Sequence, residues 1–135
     1  MDKERMISKI AEIKKYLAEL SEVIPDNLED YSNSVKDKRA TERILQIAIE
    51  CVLDVCAILV KEFALGLPAN EDNLLEILEG KISMIDAVKA MKRFRNVLVY
   101  KYGDIKDELV FEFATEKTED FEQFIAEIKQ IMKRG

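Results

Sequence analysis

Ile44-Leu45-Gln46-Ile47-Ala48-Ile49-Glu50-Cys51-Val52-Leu53-Asp54-Val55-Cys56-Ala57-Ile58-Leu59-Val60 is apolar at every position except Gln46, Glu50 and Asp54. The run is too long for an ordinary strand and holds no glycine or proline, so it predicts a helix, extending over about residues 36–64. Its apolar positions cover more than one stripe, which makes it the central helix, packed on several sides. The three interrupting polar residues exclude a membrane span. They recur every four positions and form one line along the helix. That line either faces solvent or supplies interhelical hydrogen bonds, or it faces the arginine-rich stretch near residue 95. In the second case Asp54 or Glu50 is the expected partner of Arg95, because a buried carboxylate needs a donor.

Upstream, Met6, Ile10, Ile13, Leu17, Leu20 and Ile24 recur at spacings of three and four and predict a first helix over about residues 3–24, ended by Pro25. Residues 26–35 are rich in turn formers, with room for one helical turn around Leu28–Tyr31. Gly66 and Pro68 are expected to close the central helix. Asn70 then caps a short helix reaching about Glu79, with Leu74, Leu75 and Leu78 inward and Gly80 as its stop. Ser83 and Asp86 have the spacing of a capping box for a helix running to about Tyr102, with Gly103 as its C-cap. Leu109, Val110, Phe111 and Phe113 are read as helical, since no partner strand is evident. Thr118 opens a last helix whose core stripe is Phe121, Phe124, Ile125, Ile128 and Ile131. The expected fold is all-α: an up-and-down bundle of four main helices plus a short connecting helix, with residues 1–135 forming a single domain.

Hydrophobic residues make up 48% of the chain and only 4 glycines and 2 prolines punctuate it, which fits a folded helical protein and not a disordered tail. Cys51 and Cys56 are expected to be buried free thiols, since side chains five apart on a helix diverge. With no targeting or lipidation signal read at either end, the expectation is a cytoplasmic protein without membrane contact. Histidine is absent from the chain. That rules out a histidine-dependent triad, histidine-ligated metal and imidazole general-base chemistry within it. Neither a metal nor a cofactor is expected; Asp104, Asp107, Glu108 and Glu112 read as a solvated acidic face. Phe111, Phe113, Phe121 and Phe124 read as core or interface residues.

Chemistry concentrates in Arg93-Phe94-Arg95-Asn96-Val97-Leu98-Val99-Tyr100-Lys101-Tyr102. On a helix, Arg95 and Tyr102 lie nearly on one face, and Asn96 and Tyr100 form an i,i+4 pair beside them. From Asp86 to Tyr102 the bases Lys89, Lys92, Arg93, Arg95 and Lys101 face one acid, in a chain whose net charge is −6. A local basic cluster can hold phosphates even where the whole molecule repels a polyanion. The plain alternative is a solvated face of an amphipathic helix, with arginine and tyrosine at a helix contact or subunit interface.

The stretch resembles the signature of the HEPN superfamily, in its HepT-like branch: arginine, four intervening residues, histidine, any residue, tyrosine. Arg95 falls on the arginine position and Tyr102 on the final tyrosine, while Tyr100 stands where the family has histidine. The segment from Arg43 through Glu50 to Asp54 is similar to the second-helix pattern of the same branch, and the resemblance extends over nearly the whole chain. It implies a homodimer of helical bundles with the signature helices facing each other across a cleft. It also implies a metal-independent ribonuclease toxin restrained by an MNT-type nucleotidyltransferase antitoxin, with Tyr102 as an adenylylation acceptor.

RNA cleavage without a metal requires an activated 2′-OH, a protonated leaving oxygen and stabilised charge on the phosphate. Arg95 suits the last task, because its rigid fork donates two hydrogen bonds to phosphate oxygens. Lys92, Arg93, Asn96 and Lys101 are candidates for binding the RNA backbone, and Tyr100 for positioning phosphate or donating a proton. An ordinary phenol titrates near 10 and is about one part in a thousand ionised at neutral pH, so it is a poor base. Two readings therefore stand. One is a toxin ribonuclease with altered catalysis, in which Arg95 grips the scissile phosphate at a dimer cleft. The other is a catalytically silent dimeric binding protein of the same family that engages the nucleotidyltransferase.

Overall fold

The computed structural model describes residues 2–101 and 104–134, and these contain seven helices. They are α1 (Lys3–Val23), α2 (Leu28–Ser32), α3 (Val35–Glu62), α4 (Glu71–Ile77), α5 (Ile85–Tyr100), α6 (Asp107–Glu116) and α7 (Thr118–Arg134). No strand occurs among the described residues, and no helix there is long and apolar enough to cross a membrane. The long helices α1, α3, α5 and α7 alternate in direction. Lys9 meets Asp54 and the Asp2 amide meets Glu62, so α1 and α3 are antiparallel. Leu98 sits beside Glu42 and Gln46, so α5 returns along the first half of α3.

The expected connecting helix is α4, and the side chain of Asn70 caps it as read, accepting from the Asn73 amide at 2.8 Å. The remaining connections are helical too, because each contributes core: Tyr31 from α2, and Val110 and Ala114 from α6, are buried. α3 is buried almost all round, with Leu45, Ala48, Ile49, Val52, Val55, Cys56 and Leu59 nearly inaccessible, as its continuous apolar pattern requires. A second cluster, built from Leu20, Tyr31, Leu45, Leu98, Val110 and Ala114, clamps the C-terminal end of α5. Phe94 of α5 stacks on Phe113 at 4.1 Å, and Phe113 meets the buried Phe121 edge-on. The aromatic residues thus act as packing between α5, α6 and α7.

Both cysteines are free and buried. Burial pushes the Cys56 thiol up to about 12; burial and the neighbouring Glu12 carboxylate push Cys51 up to about 11. Both stay protonated and unreactive at neutral pH.

Two expected helix ends are corrected. The turn that closes α3 is centred on Ala64, at φ 54°, and not on Gly66. The Leu65 amide reaches back to the Val60 carbonyl (3.0 Å) and the Ala64 amide to that of Lys61 (3.1 Å), the paired bonds of a Schellman motif. Alanine in this left-handed position costs about 1 kcal/mol that glycine would not. Gly66 also has positive φ, but it lies beyond the closing bonds.

At the start of α5 the capping box from Ser83 to Asp86 does not form, and no side chain of the helix's own N-terminus caps it. The cap comes instead from α7: the Glu127 carboxylate accepts from the amides of Ser83 (2.6 Å) and Met84 (3.0 Å). Two donors near the helix start and its positive dipole end are satisfied by one carboxylate, which fixes α5 against the bundle. Glu127→Ala is expected to destabilise the fold by about 2 kcal/mol, and Glu127→Gln by less, in urea unfolding monitored by helicity. An unchanged midpoint for the alanine variant would remove the cross-helix cap from the account.

Candidate phosphate-binding site on α5

α5 turns Ile85, Val88, Met91 and Leu98 into the core. Arg95 lies four residues after Met91 and three before Leu98, on the flank of that buried stripe. Its side chain is accordingly only 12% exposed, and a cation so placed needs partners. Nε donates to Asn96 Oδ1 at 3.1 Å, and Nη2 pairs with the Glu71 carboxylate at the first residue of α4.

This pairing differs from the expected one. The carboxylate on Arg95 is Glu71, not Glu50 or Asp54. Glu50 accepts from Gln46 at 3.0 Å within α3, and Asp54 pairs with Lys9 of α1, also at 3.0 Å. The polar line on α3 therefore serves local and α1–α3 hydrogen bonding. The hydrogen bond to Asp54 raises the pKa of Lys9 against the opposing desolvation, and Glu12 adds a smaller push upward.

α4 and the turn after it also reshape the basic stretch. Lys92 pairs with Asp72, and Lys89 with Glu79, so with Arg95 and Glu71 three cations about one turn apart each meet an acid from one segment. Among the described residues no carboxylate pairs with Arg93 or Lys101, both of which are exposed. The freely available positive charge is thus smaller than the count of bases suggests, and it sits off the Arg95 face: Arg93 points about 160° around the helix from Arg95, and Lys101 stands at the helix end. Glu71, Asp72 and Glu79 escaped the sequence reading. The only local signal for Glu71 and Asp72 was a pair of acids in a helix's first turn, which the helix dipole explains equally well, and Glu79, past the end of α4, had none.

Tyr100, on the last residue of α5, is 80% exposed, beside Val99 at 40%. At about 100° per residue it points roughly 140° away from Arg95 around the helix. One chain therefore brings together Arg95, Asn96 and Glu71, and its helix places Tyr100 near the Asn96 face but away from that of Arg95. Tyr102 and Gly103 lie outside the described residues.

What the arrangement can do follows from the donors left over. Among the described residues, Arg95 hydrogen-bonds through two of its five N–H groups, to Asn96 and Glu71, which leaves donors of its fork for a ligand. Both partners orient the guanidinium plane before a ligand arrives, and such preorganisation makes an electrostatic clamp effective.

The family model for "Ribonuclease HepT-like" proteins matches residues 13–128. The chain is 27% identical over 131 residues to the mRNA nuclease HepT of Shewanella oneidensis, covering 92% of this chain and 96% of that one. Its fold is similar to the tri-AMPylated Shewanella oneidensis HEPN toxin solved in complex with its MNT antitoxin, with a TM-score of 0.85 at 26% identity over 93% of this chain and 97% of that one. A toxin–antitoxin structure with AMP-PNP is similar to the same degree, with a TM-score of 0.85 at 25% identity, covering 94% and 98% of the two chains. A family match over most of the chain and a shared fold over nearly all of it lead to one conclusion: this chain belongs to the ribonuclease HepT-like family.

Proposed function

We propose that this chain is the ribonuclease toxin of a toxin–antitoxin pair, acting in the cytoplasm as a homodimer and restrained by an MNT-type nucleotidyltransferase antitoxin. The observation that carries this reading is Arg95: a largely buried guanidinium at the signature position of the family, oriented by Asn96 and Glu71, with donors to spare. In cleavage, the substrate's 2′-OH gives its proton to water as its oxygen attacks the adjacent phosphorus, the bond to the 5′-oxygen breaks with that oxygen taking a proton from the Tyr100 phenol or water, and charge builds on the non-bridging oxygens that Arg95 holds. Arg93 and Lys101 guide the RNA backbone, with Lys92 and Asn96 beside them. The exposed Tyr100 meets the phosphate or leaving group across the cleft from the partner subunit, since its own chain turns it away from Arg95. Tyr102 is the acceptor through which the antitoxin, by adding a nucleotide, places negative charge beside the cations and repels RNA.

The absence of histidine favours a second reading, a silent family member that keeps the dimer and the antitoxin. One experiment separates the two. Single-stranded RNA is incubated with the purified chain in excess chelator, before and after treatment with the antitoxin and ATP, with intact-mass analysis in parallel. The toxin reading expects cleavage in chelator that stops as a nucleotide mass appears on Tyr102. Absence of cleavage together with a stable antitoxin complex selects the silent reading.

A further inference from the structure

An open groove of about 810 Å³ runs between α1 and α7, with α6 contributing at one end, on a part of the molecule the Arg95 site does not use. Leu17 and Ile125 give it apolar walls, and Ala18 and Ala126 are small enough to let another backbone approach closely. From Lys14 to Ile24 the α1 wall is about 15 Å long, the length of roughly ten helical residues.

Charge is asymmetric along it, with Glu122 of α7 lining the groove two turns before Lys129 and lysines at the far end. Lys14 of α1 and Lys129 of α7 face each other at one end, and no carboxylate among the described residues pairs with either. Lys133 follows one turn beyond Lys129 on α7. The Lys129 pKa is lowered, first by the neighbouring Lys14 side chain, with Lys133 adding a smaller push. Like charges held together on an otherwise acidic molecule form a local seat for an anion.

We propose that this groove receives an acidic amphipathic helix of the antitoxin, its apolar face against Leu17 and Ile125 and a carboxylate between Lys14 and Lys129. The inference rests on the antitoxin reading and adds where that partner docks. An apolar trough of helical length, walled by two helices, matches the helix-in-groove mode of recognition. A nucleic-acid backbone would match the lysines but leave the apolar walls unused.

Affinity for the cognate MNT-type nucleotidyltransferase is measured for the unaltered chain, Lys14→Glu/Lys129→Glu, Ala126→Trp and a distant surface control, Lys81→Glu. RNA affinity and the melting curve of each free variant are measured beside it. Both lysines and Ala126 are exposed, so the variants are expected to melt like the parent. The expected result is at least about tenfold weaker antitoxin binding for the double charge reversal and for Ala126→Trp, with Lys81→Glu and RNA affinity unchanged. Unaltered antitoxin affinity in both groove variants overturns the docking site while leaving the partnership intact. Weaker RNA binding with antitoxin binding preserved assigns the lysines to nucleic acid and also overturns it. If the unaltered chain forms no complex, the antitoxin reading fails and the docking site with it.

Discussion

Arg95→Ala is expected to lower the rate of RNA cleavage by roughly 10²–10³-fold, the usual consequence of deleting one preorganised donor to a developing oxyanion. The loss should fall mainly on turnover. On the proposed reading the guanidinium would touch phosphate throughout, with its hydrogen bonds gaining strength as charge accumulates on the oxygens. RNA affinity should weaken only modestly, with the slope of log affinity against log salt shallower by about 1, the share of one phosphate contact. Arg95→Lys is expected to fall in between, since an ammonium keeps the charge but cannot form the fork. The fold should survive, because the Glu71 carboxylate set free is 45% exposed and can be hydrated. Initial rates on single-stranded RNA, with melting curves to confirm folding, provide the check. Equal cleavage by the alanine variant and the unaltered chain would falsify the assignment of Arg95.

The second large effect is a gain. Tyr100→His places an imidazole where the family signature has one, on a side chain already 80% exposed at the end of α5. Positioned general acid–base catalysis typically contributes 10²–10⁴-fold, so a rise of about 10²-fold at neutral pH is expected. The pH profile should carry the mark of the new group. Below about 6.5 the imidazole is protonated and cannot take the 2′-OH proton, so the rate falls with acidity; above that value the base is available and the rate levels off. Tyr100→Phe isolates what the hydroxyl itself contributes. A histidine variant no faster than the parent, with no inflection between pH 5 and 8, means that Tyr100 does not face the reacting phosphate, and it shifts weight to the silent-binder reading.

The two effects probe different parts of the same helix, and the helix is held in place by groups from other segments. Glu71, 24 positions before Arg95, orients the guanidinium, while Glu127, more than 40 positions after Ser83 and Met84, anchors the start of α5. Phe94 ties the middle of α5 to Phe113 and through it to Phe121. The site is therefore a property of the packed bundle and not of the signature stretch alone.

Much of this was legible without coordinates. The all-helical class and the central position of α3 follow from apolar periodicity, because a helix apolar on several sides has nowhere to sit but the middle. The cap at Asn70 was readable because capping by asparagine is local, reaching two or three residues ahead. The signature residues were readable because they are consecutive. The misreadings share a cause. A Ser83 to Asp86 cap and a helix end at Gly66 were the local solutions, and the molecule uses Glu127 and Ala64 instead. Glu50 and Asp54 had the right charge and a plausible line, but their hydrogen-bonding capacity is met by Gln46 and Lys9.

By itself the sequence determined that this is a helical protein of the HepT-like family whose Arg95 and Asn96 stand together one helical turn before Tyr100, since spacing along one helix is fixed by covalent geometry. Only the tertiary structure decided that Glu71 holds the arginine and that α4 and Glu79 neutralise part of the basic face. Those outcomes depend on where helices cross, which is set by the packing of side chains far apart in the chain and leaves no periodic trace in any one segment.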